Sequence, residues 1–278
     1  MLSSEQRRRY RDDGYLVLPG FKGAGEIAAL RRRAGEIVDA FDPAESRSVF
    51  TTNDQGKRTD RWFLDSGDKV RCFFEEEAFD AAGALRQDKS FSINKIGHAM
   101  HDLDPVFDAF SRDPGLAAIA TDIGLTAPQI WQSMYIFKQP GIGGEVRWHQ
   151  DATFFETDPI SVTTFWFALE DASISNGCLW VEPGGHTGPL RERFVRAGDA
   201  THIETLDPAP WPDANAVAVE VQAGALVMFH GRLPHYSAPN RSPISRHAYT
   251  LHVTDGTAAY AAHNWLQRGP QMPVRGFV

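Results

Sequence analysis

From residue 129 the chain changes texture. "QIWQSMYIFKQ", "SVTTFWFALE", "GCLWVEP", "AVAVEVQ", "GALVMFHG" and "RHAYTLHVT" follow one another, rich in β-branched and aromatic residues and separated by Gly, Pro, Asn and Asp. Such runs read as strands bounded by turns, and their apolar faces must be buried in a sandwich or a barrel. The half before them reads differently. Ser3 and Gln6 make a capping box for a short first helix, and "YLVLPG" reads as a short strand. In "AGEIAALRRRAGEIVDAF", Ile27, Leu30, Ala34, Ile37 and Phe41 recur at helical spacing with charges opposite. Residues 42–90 are polar and irregular, with one local element in "SGDKVRCFFEE". A further helix is predicted over 92–111, interrupted by Pro105; Asp113 caps another, with Pro114 at its first position and Gly124 as its stop. Residues 187–212 read as a surface insertion between strands. Helices first and strands afterwards predict an α+β fold. No repeat or linker divides the 278 residues, so one domain is expected, with a helical part over about 1–125 and a strand-rich core over about 129–256.

Charge and composition narrow the function. A formal net charge of −8 argues against a nucleic-acid partner and against adhesion to anionic membranes. No run approaches the roughly 18 apolar residues of a membrane-spanning helix. "MLSSEQRRRYRDDGYLVLPG" has no secretory apolar stretch and "RGFV" no peroxisomal address. Two cysteines, Cys72 and Cys178, cannot build a disulfide framework or a four-thiolate zinc site. A cytoplasmic protein with a small-molecule partner is expected; the sequence carries no sign of oligomeric state.

"RWHQDATFF", residues 147–155, is where chemistry concentrates. His149 and Asp151 are two apart, and in a strand such residues share a face. Their natural partner is His235 in "HGRLPHYSAPN", which follows the strand "GALVMFHG"; Arg246 comes 11 positions later. Two imidazoles and one carboxylate make the facial triad of non-heme Fe(II) oxygenases, which leaves positions open for small molecules. An Arg nearby supplies a planar, permanently charged fork for a carboxylate. A lone His-x-Asp pair is weak; the distal His and the Arg sharpen it.

Several blocks, in order, give the chain a resemblance to the phytanoyl-CoA dioxygenase family of Fe(II)- and 2-oxoglutarate-dependent oxygenases. They are "DGYLVLPGF", "SGDKVRCFFE", "SINKIGHAMHDLDPVF", "QSMYIFKQPGIGGEVRWHQDATFF", "NGCLWVEPGGHT", "GALVMFHGRLPH" and "RHAYTLHVTDG", nearly end to end. The resemblance implies a double-stranded β-helix (a cupin-like jelly roll) backed by N-terminal helices. It implies Fe(II) held by His149, Asp151 and His235, and 2-oxoglutarate held by Lys95, Met134, Trp166, Ser237 and Arg246. It further implies a dioxygenase that consumes O2, decarboxylates 2-oxoglutarate to succinate and CO2, and hydroxylates a small organic substrate. Asp151 favours hydroxylation over halogenation, because halogenating relatives have a small residue there. Trp148 departs from the related pattern, where a smaller residue is usual, and is expected to narrow the entrance.

Each residue has a plainer alternative. Met134 and Trp166 suit a core, Lys95 a solvated helix face, Arg246 a surface ion pair and Ser237 a turn. His98 and His101, three apart on the predicted helix, could bind a metal or simply hydrogen-bond. His252 alternates with Arg246 toward the interior, whereas His247 points away. His186 in "GGHT" is expected near the site mouth, and Trp148, Phe154 and Phe155 around the pocket. Loops 42–90 and 187–212 are expected to shape the entrance. A non-catalytic metabolite-binding jelly roll is the alternative function, and a zinc or manganese isomerase or hydrolase a third. Phytanoyl-CoA itself is disfavoured as substrate, because the acidic balance offers no basic funnel for a CoA tail.

Overall fold

A computed structural model describes residues 1–52, 60–211 and 214–277. In chain order the elements are α1 (Ser4–Asp13), β1 (Tyr15–Leu18), α2 (Ala24–Ala40), α3 (Arg61–Leu64), β2 (Val70–Phe74), β3 (Ile93–His98), α4 (Met100–Leu103), α5 (Pro105–Ser111) and α6 (Pro114–Asp122). There follow β4 (Pro128–Ile136), β5 (Val146–His149), β6 (Thr157–Asp158), β7 (Thr163–Ala168), β8 (Leu179–Val181), β9 (Glu192–Ala197) and β10 (Ala200–Thr205). The last are β11 (Val217–Val219), β12 (Leu226–His230), β13 (His235–Ser237), β14 (Ala248–Asp255) and β15 (Ala259–Tyr260).

Two sheets face each other. The larger has seven strands in the order β1-β12-β7-β14-β4-β3-β2, and the smaller has four, β11-β8-β13-β5. All strand pairings within them are antiparallel. This is the expected double-stranded β-helix, with helices covering the outer face of the larger sheet.

Strand alternation divides the burial. From β7 and β14, Phe165, Phe167, Tyr249, Leu251 and Val253 point outward into a core shared with Leu30, Ala34 and Val38 of α2, Phe107 and Phe110 of α5, and Leu116 and Ile119 of α6. From the same strands Trp166, Ala168 and Ala248 point inward, where they meet Leu179 and Val181 of β8. Thr164, Trp166, Thr250 and His252 thereby share the space between the sheets. Tyr249, wholly buried, bonds to Ser111 at 2.8 Å and so fastens α5 to the sheet through a satisfied hydroxyl.

One predicted element is corrected. The segment expected to be helical from 92 to 111 begins with a strand, β3, and only then turns into α4 and α5. Ile93, Ile96 and Met100 recur at helical spacings, but β3 lies between β2 and β4 and is buried on both faces. A strand buried on both sides shows no alternation, so the period misleads. The region 187–212 is not mere insertion either: β9 and β10 form a hairpin that places Phe194 in a third apolar cluster with Phe154, Phe155 and Trp265. Parts of the two long loops, 53–59 and 212, lie outside the described residues.

Leu30 is fully buried between α2 and the sheet. Leu30→Ala should cost about 2–5 kcal/mol. The urea midpoint should fall with an unchanged m-value; a midpoint within error of the parent would show that α2 is not part of the cooperative core.

Candidate active site

β5 ends at His149, and β13 begins at His235 directly opposite it in the antiparallel ladder. Opposed residues share a face, and the two imidazoles lie 4.1 Å apart between ring centres. Asp151 is not in the strand. It opens a short 3₁₀ turn, Asp151–Thr153, whose Ala152 N–H donates to the Gly231 carbonyl at 2.9 Å. Asp151 Oδ1 is 3.6 Å from His149 Nε2 and 3.7 Å from His235 Nε2. Among the described residues these three offer ligand atoms within 4.8 Å of one another.

The donor chemistry suits a divalent transition metal. His149 Nδ1 donates to the Arg147 carbonyl at 2.8 Å, and His235 Nδ1 to the Leu233 carbonyl at 3.0 Å. Each bond fixes the proton on Nδ1 and leaves the Nε2 lone pair facing Asp151. Burial, then the neighbouring His149, pushes His235 down to about 4, so it is neutral at pH 7. Burial opposes the charge on Asp151, but the imidazoles of His235, His252 and His149 outweigh it and hold the carboxyl well below its usual range. The cluster is one anionic oxygen set and two imidazole lone pairs, a set that fits Fe(II).

A second polar group lies across the cavity. Arg246, 2% exposed, precedes β14 by two residues. Its Nε donates to the Gly177 carbonyl at 3.0 Å and its Nη2 to Ser237 Oγ at 3.3 Å, while its face lies 5.3 Å from the Trp166 ring. Burial pushes the guanidinium down to about 10, which leaves it charged at neutral pH. Arg246 Nη1, Trp166 Nε1 and Thr250 Oγ1 are buried with no hydrogen-bond partner among the described residues. Donors left in this way around a charged fork fit the carboxylate of a keto acid. Gly177 holds this corner: its φ is +84°, a Cβ there would approach Ala238 O to 2.8 Å, and its carbonyl also accepts from Ser237 Oγ at 2.9 Å.

All eight sequence-predicted residues, Lys95, Met134, His149, Asp151, Trp166, His235, Ser237 and Arg246, line one cavity that opens to solvent. Lys95 is not on a solvated helix. It is buried on β3, with Nζ 3.6 Å from Met134 Sδ and over the Phe50 ring. Phe50, Phe63, Phe154, Phe155, Phe194 and Trp265 supply an aromatic wall.

Other expectations change. Trp148 does not itself line the cavity but stacks, with ring centres 5.5 Å apart, on Tyr236, which does. His186 is not at the mouth: its Nε2 donates to the Arg11 carbonyl at 3.0 Å and its ring closes over Gly14, where no Cβ would fit. It ties α1 to the body. His98 and His101 do not share a helical face. His98 ends β3 and bonds to Ser66 at 2.7 Å, whereas His101, in α4, bonds to Ser133 at 2.9 Å. His252 does face the cavity, and His247 points outward to Tyr135, as alternation predicts. Two residues were missed. Thr164 donates to Asp151 Oδ2, and its position two before Trp166 could have shown it. Lys138 lines the cavity with Nζ bonded to the Gly144 carbonyl at 2.6 Å; it lies in the irregular segment after β4, with φ of 43°, and gave no periodic signal. Burial, reinforced by Arg246, holds its ammonium well below the usual lysine range.

The fold and the site together define the class of non-heme-iron, 2-oxoglutarate-dependent dioxygenases. The family model described as "Phytanoyl-CoA dioxygenase (PhyH)" matches residues 10–248. Over 276 residues the chain is 47% identical to "Phytanoyl-CoA dioxygenase 1" of Oryza sativa subsp. japonica, covering 98% of this chain and 97% of that protein. It is 44% identical to "Phytanoyl-CoA dioxygenase domain-containing protein 1" of Mus musculus, with 98% and 97% covered. Among solved structures, the non-heme α-ketoglutarate-dependent carbocyclase SnoK from nogalamycin biosynthesis superposes with a TM-score of 0.67 at 22% identity, covering 99% of this chain and 96% of that one. EctD from S. alaskensis with bound Fe gives 0.66 at 22% identity, covering 99% and 87%. The chain belongs to the phytanoyl-CoA dioxygenase family. Among the described residues no helix is long and apolar enough to cross a membrane.

The buried histidines make metal-free stability depend on pH. Burial holds His230 and His235 down to about 4, against an ordinary value of 6.5. The unfolded chain takes up these protons below about pH 6.5 while the folded chain does not, so stability falls as the pH drops from 6.5 toward 4. The loss should be on the order of 2 kcal/mol for each histidine at pH 5. Urea midpoints of the metal-free protein at pH 7.5 and pH 5 measure it, and equal midpoints would contradict it.

Proposed function

We propose that this chain hydroxylates a small organic substrate with an apolar body, holding Fe(II) on His149, Asp151 and His235 and 2-oxoglutarate between that centre and Arg246. The observation that carries the reading is the pairing, in one cavity, of a His-Asp-His donor set with a buried, charged Arg246 whose Nη1 has no partner among the described residues. Bound there, Fe(II) and 2-oxoglutarate supply an oxidative decarboxylation to succinate and CO2 that leaves one atom of O2 for a substrate C–H bond.

The chain's own residues prepare the ground. The Arg147 and Leu233 carbonyls orient His149 and His235, so both present Nε2. Ser237 and the Gly177 carbonyl hold Arg246 rigidly, so its free N–H groups meet the far carboxylate of 2-oxoglutarate without reorganisation. Lys95, Met134 and Trp166 complete that pocket as the remaining 2-oxoglutarate contacts. The aromatic wall excludes water from the reacting carbon and takes up apolar substrate surface.

Asp151 is the one carboxylate among the cavity's described lining residues, and as a metal ligand it is not available to a substrate cation. That supports a neutral or anionic substrate over a cationic one. Phytanoyl-CoA, named for the rice relative, is a test arm; the net charge of −8 offers its CoA phosphates little attraction, so a compact metabolite is favoured.

Anaerobic addition of Fe(II) and 2-oxoglutarate should give a weak visible charge-transfer band that disappears in His149→Ala and Asp151→Ala. Arg246→Ala should keep the metal but raise the 2-oxoglutarate Kd by on the order of 100-fold, since removing one partner of a buried charge pair costs about 2–5 kcal/mol. In air, succinate formation should rise with one member of a metabolite library. A band that survives loss of His149 or Asp151 would refute the ligand assignment.

A further inference from the structure

We infer that Thr164 and His252 are positioning residues that hold Asp151 from the larger sheet, so that one defined oxygen, Oδ1, is offered to the metal. The inference rests on the metal-site reading above and extends it to residues outside the triad.

The two residues are neighbours across the β7–β14 ladder, His252 opposite Thr164. Both are 2% exposed, and both point into the cavity. Thr164 Oγ1 donates to Asp151 Oδ2, and His252 Nε2 lies 3.5 Å from Oδ1. The carboxylate is therefore met at each oxygen by a different side chain. Oδ1 is also the oxygen that faces His149 and His235, at 3.6 and 3.7 Å. The His252 ring cannot swing freely, because it stacks on Phe155 with ring centres 4.8 Å apart and planes 16° from parallel.

This matters because Asp151 sits in a turn, while both ligand histidines sit on the smaller sheet. The ladder that aligns His149 and His235 does not reach Asp151, whose carboxylate is held instead through its own contacts. Thr164 engages Oδ2, and His252 Nε2 stands 3.5 Å from Oδ1. The donor set thus spans both sheets of the double-stranded β-helix, two imidazoles from one and a carboxylate steered by the other. Groups that orient a ligand in this manner change metal affinity by about 10–100-fold when removed.

The test uses metal-stripped full-length protein titrated anaerobically with Fe(II), and with Co(II) for its visible absorption, with and without 2-oxoglutarate. Thr164→Val, which keeps the shape and removes the donor, should weaken binding of both metals by about 10–100-fold and alter the Co(II) absorption envelope. Thr164→Ser should restore both to near the parent. His252→Phe, which keeps the stack on Phe155, should also weaken metal binding. The double variant should lose less than the product of the two single losses, since both act through one carboxylate. Should Thr164→Val fail to fold, His252→Phe and Thr164→Ser still carry the comparison. Parent-like affinity and an unchanged Co(II) spectrum in Thr164→Val and His252→Phe would overturn the inference while leaving the metal site intact. Absence of Fe(II) and Co(II) binding in the parent would overturn the metal-site reading itself.

Discussion

His235 lies opposite His149 in the ladder between β13 and β5, and the rest of the site is arranged around that register. Side chains alternate strictly along a strand, so a slip of one residue would turn an imidazole out of the cavity. The pairing is short, and it shifts between His235 and Ser237. What fixes it is its surroundings. β13 also pairs with β8, with His235 opposite Val181 and Ser237 opposite Leu179, and Leu179 and Val181 are anchored in the apolar cluster between the sheets. Ser237 then falls beside Arg246 and the Gly177 carbonyl. A single register therefore sets both the metal end and the carboxylate end of the cavity.

That arrangement places charge where a β-sandwich would normally put hydrocarbon. Asp151, Arg246, Lys138 and Lys95 are all nearly inaccessible to water. Burying such groups is costly unless each is paired or hydrogen-bonded. Lys138 meets the cost with two carbonyls, those of Gly144 and Ser237. Arg246 and Trp166 do so incompletely. Incomplete satisfaction inside an otherwise well-packed interior is the mark of a site built for a ligand, and the apolar clusters on either side of the larger sheet offset its cost.

How much of this was legible in the sequence follows from the physics of each segment. The second half read well because its strands alternate and are punctuated by Gly, Pro and Asn. His149, Asp151, His235 and Arg246 stood out because few residue types bind metals or carboxylates. Lys95 was harder: the strand that carries it is buried on both faces and so mimics helical spacing. His186 misled for a related reason. Nearness in sequence to a functional motif does not say which way a side chain turns, and His186 closes over Gly14. Lys138 takes its importance from contacts distant in sequence, to which no local pattern corresponds, whereas Thr164 was open to reading from its place two residues before Trp166 on one strand.

The β9–β10 hairpin leaves both sheets and returns, yet it delivers Phe194 to the chamber wall, against Phe154 at a ring separation of 5.5 Å. Among the described residues the hairpin's two strands form a sheet only with each other, and Arg196 N–H, which donates to the His263 carbonyl at 2.9 Å, ties them to the C-terminal segment. Phe194 thus reaches the cavity from an arm outside the two sheets, whereas His149 and His235 are carried by the smaller sheet. A change in the length of that hairpin would move an aromatic wall residue while leaving the ladder between His149 and His235 in place.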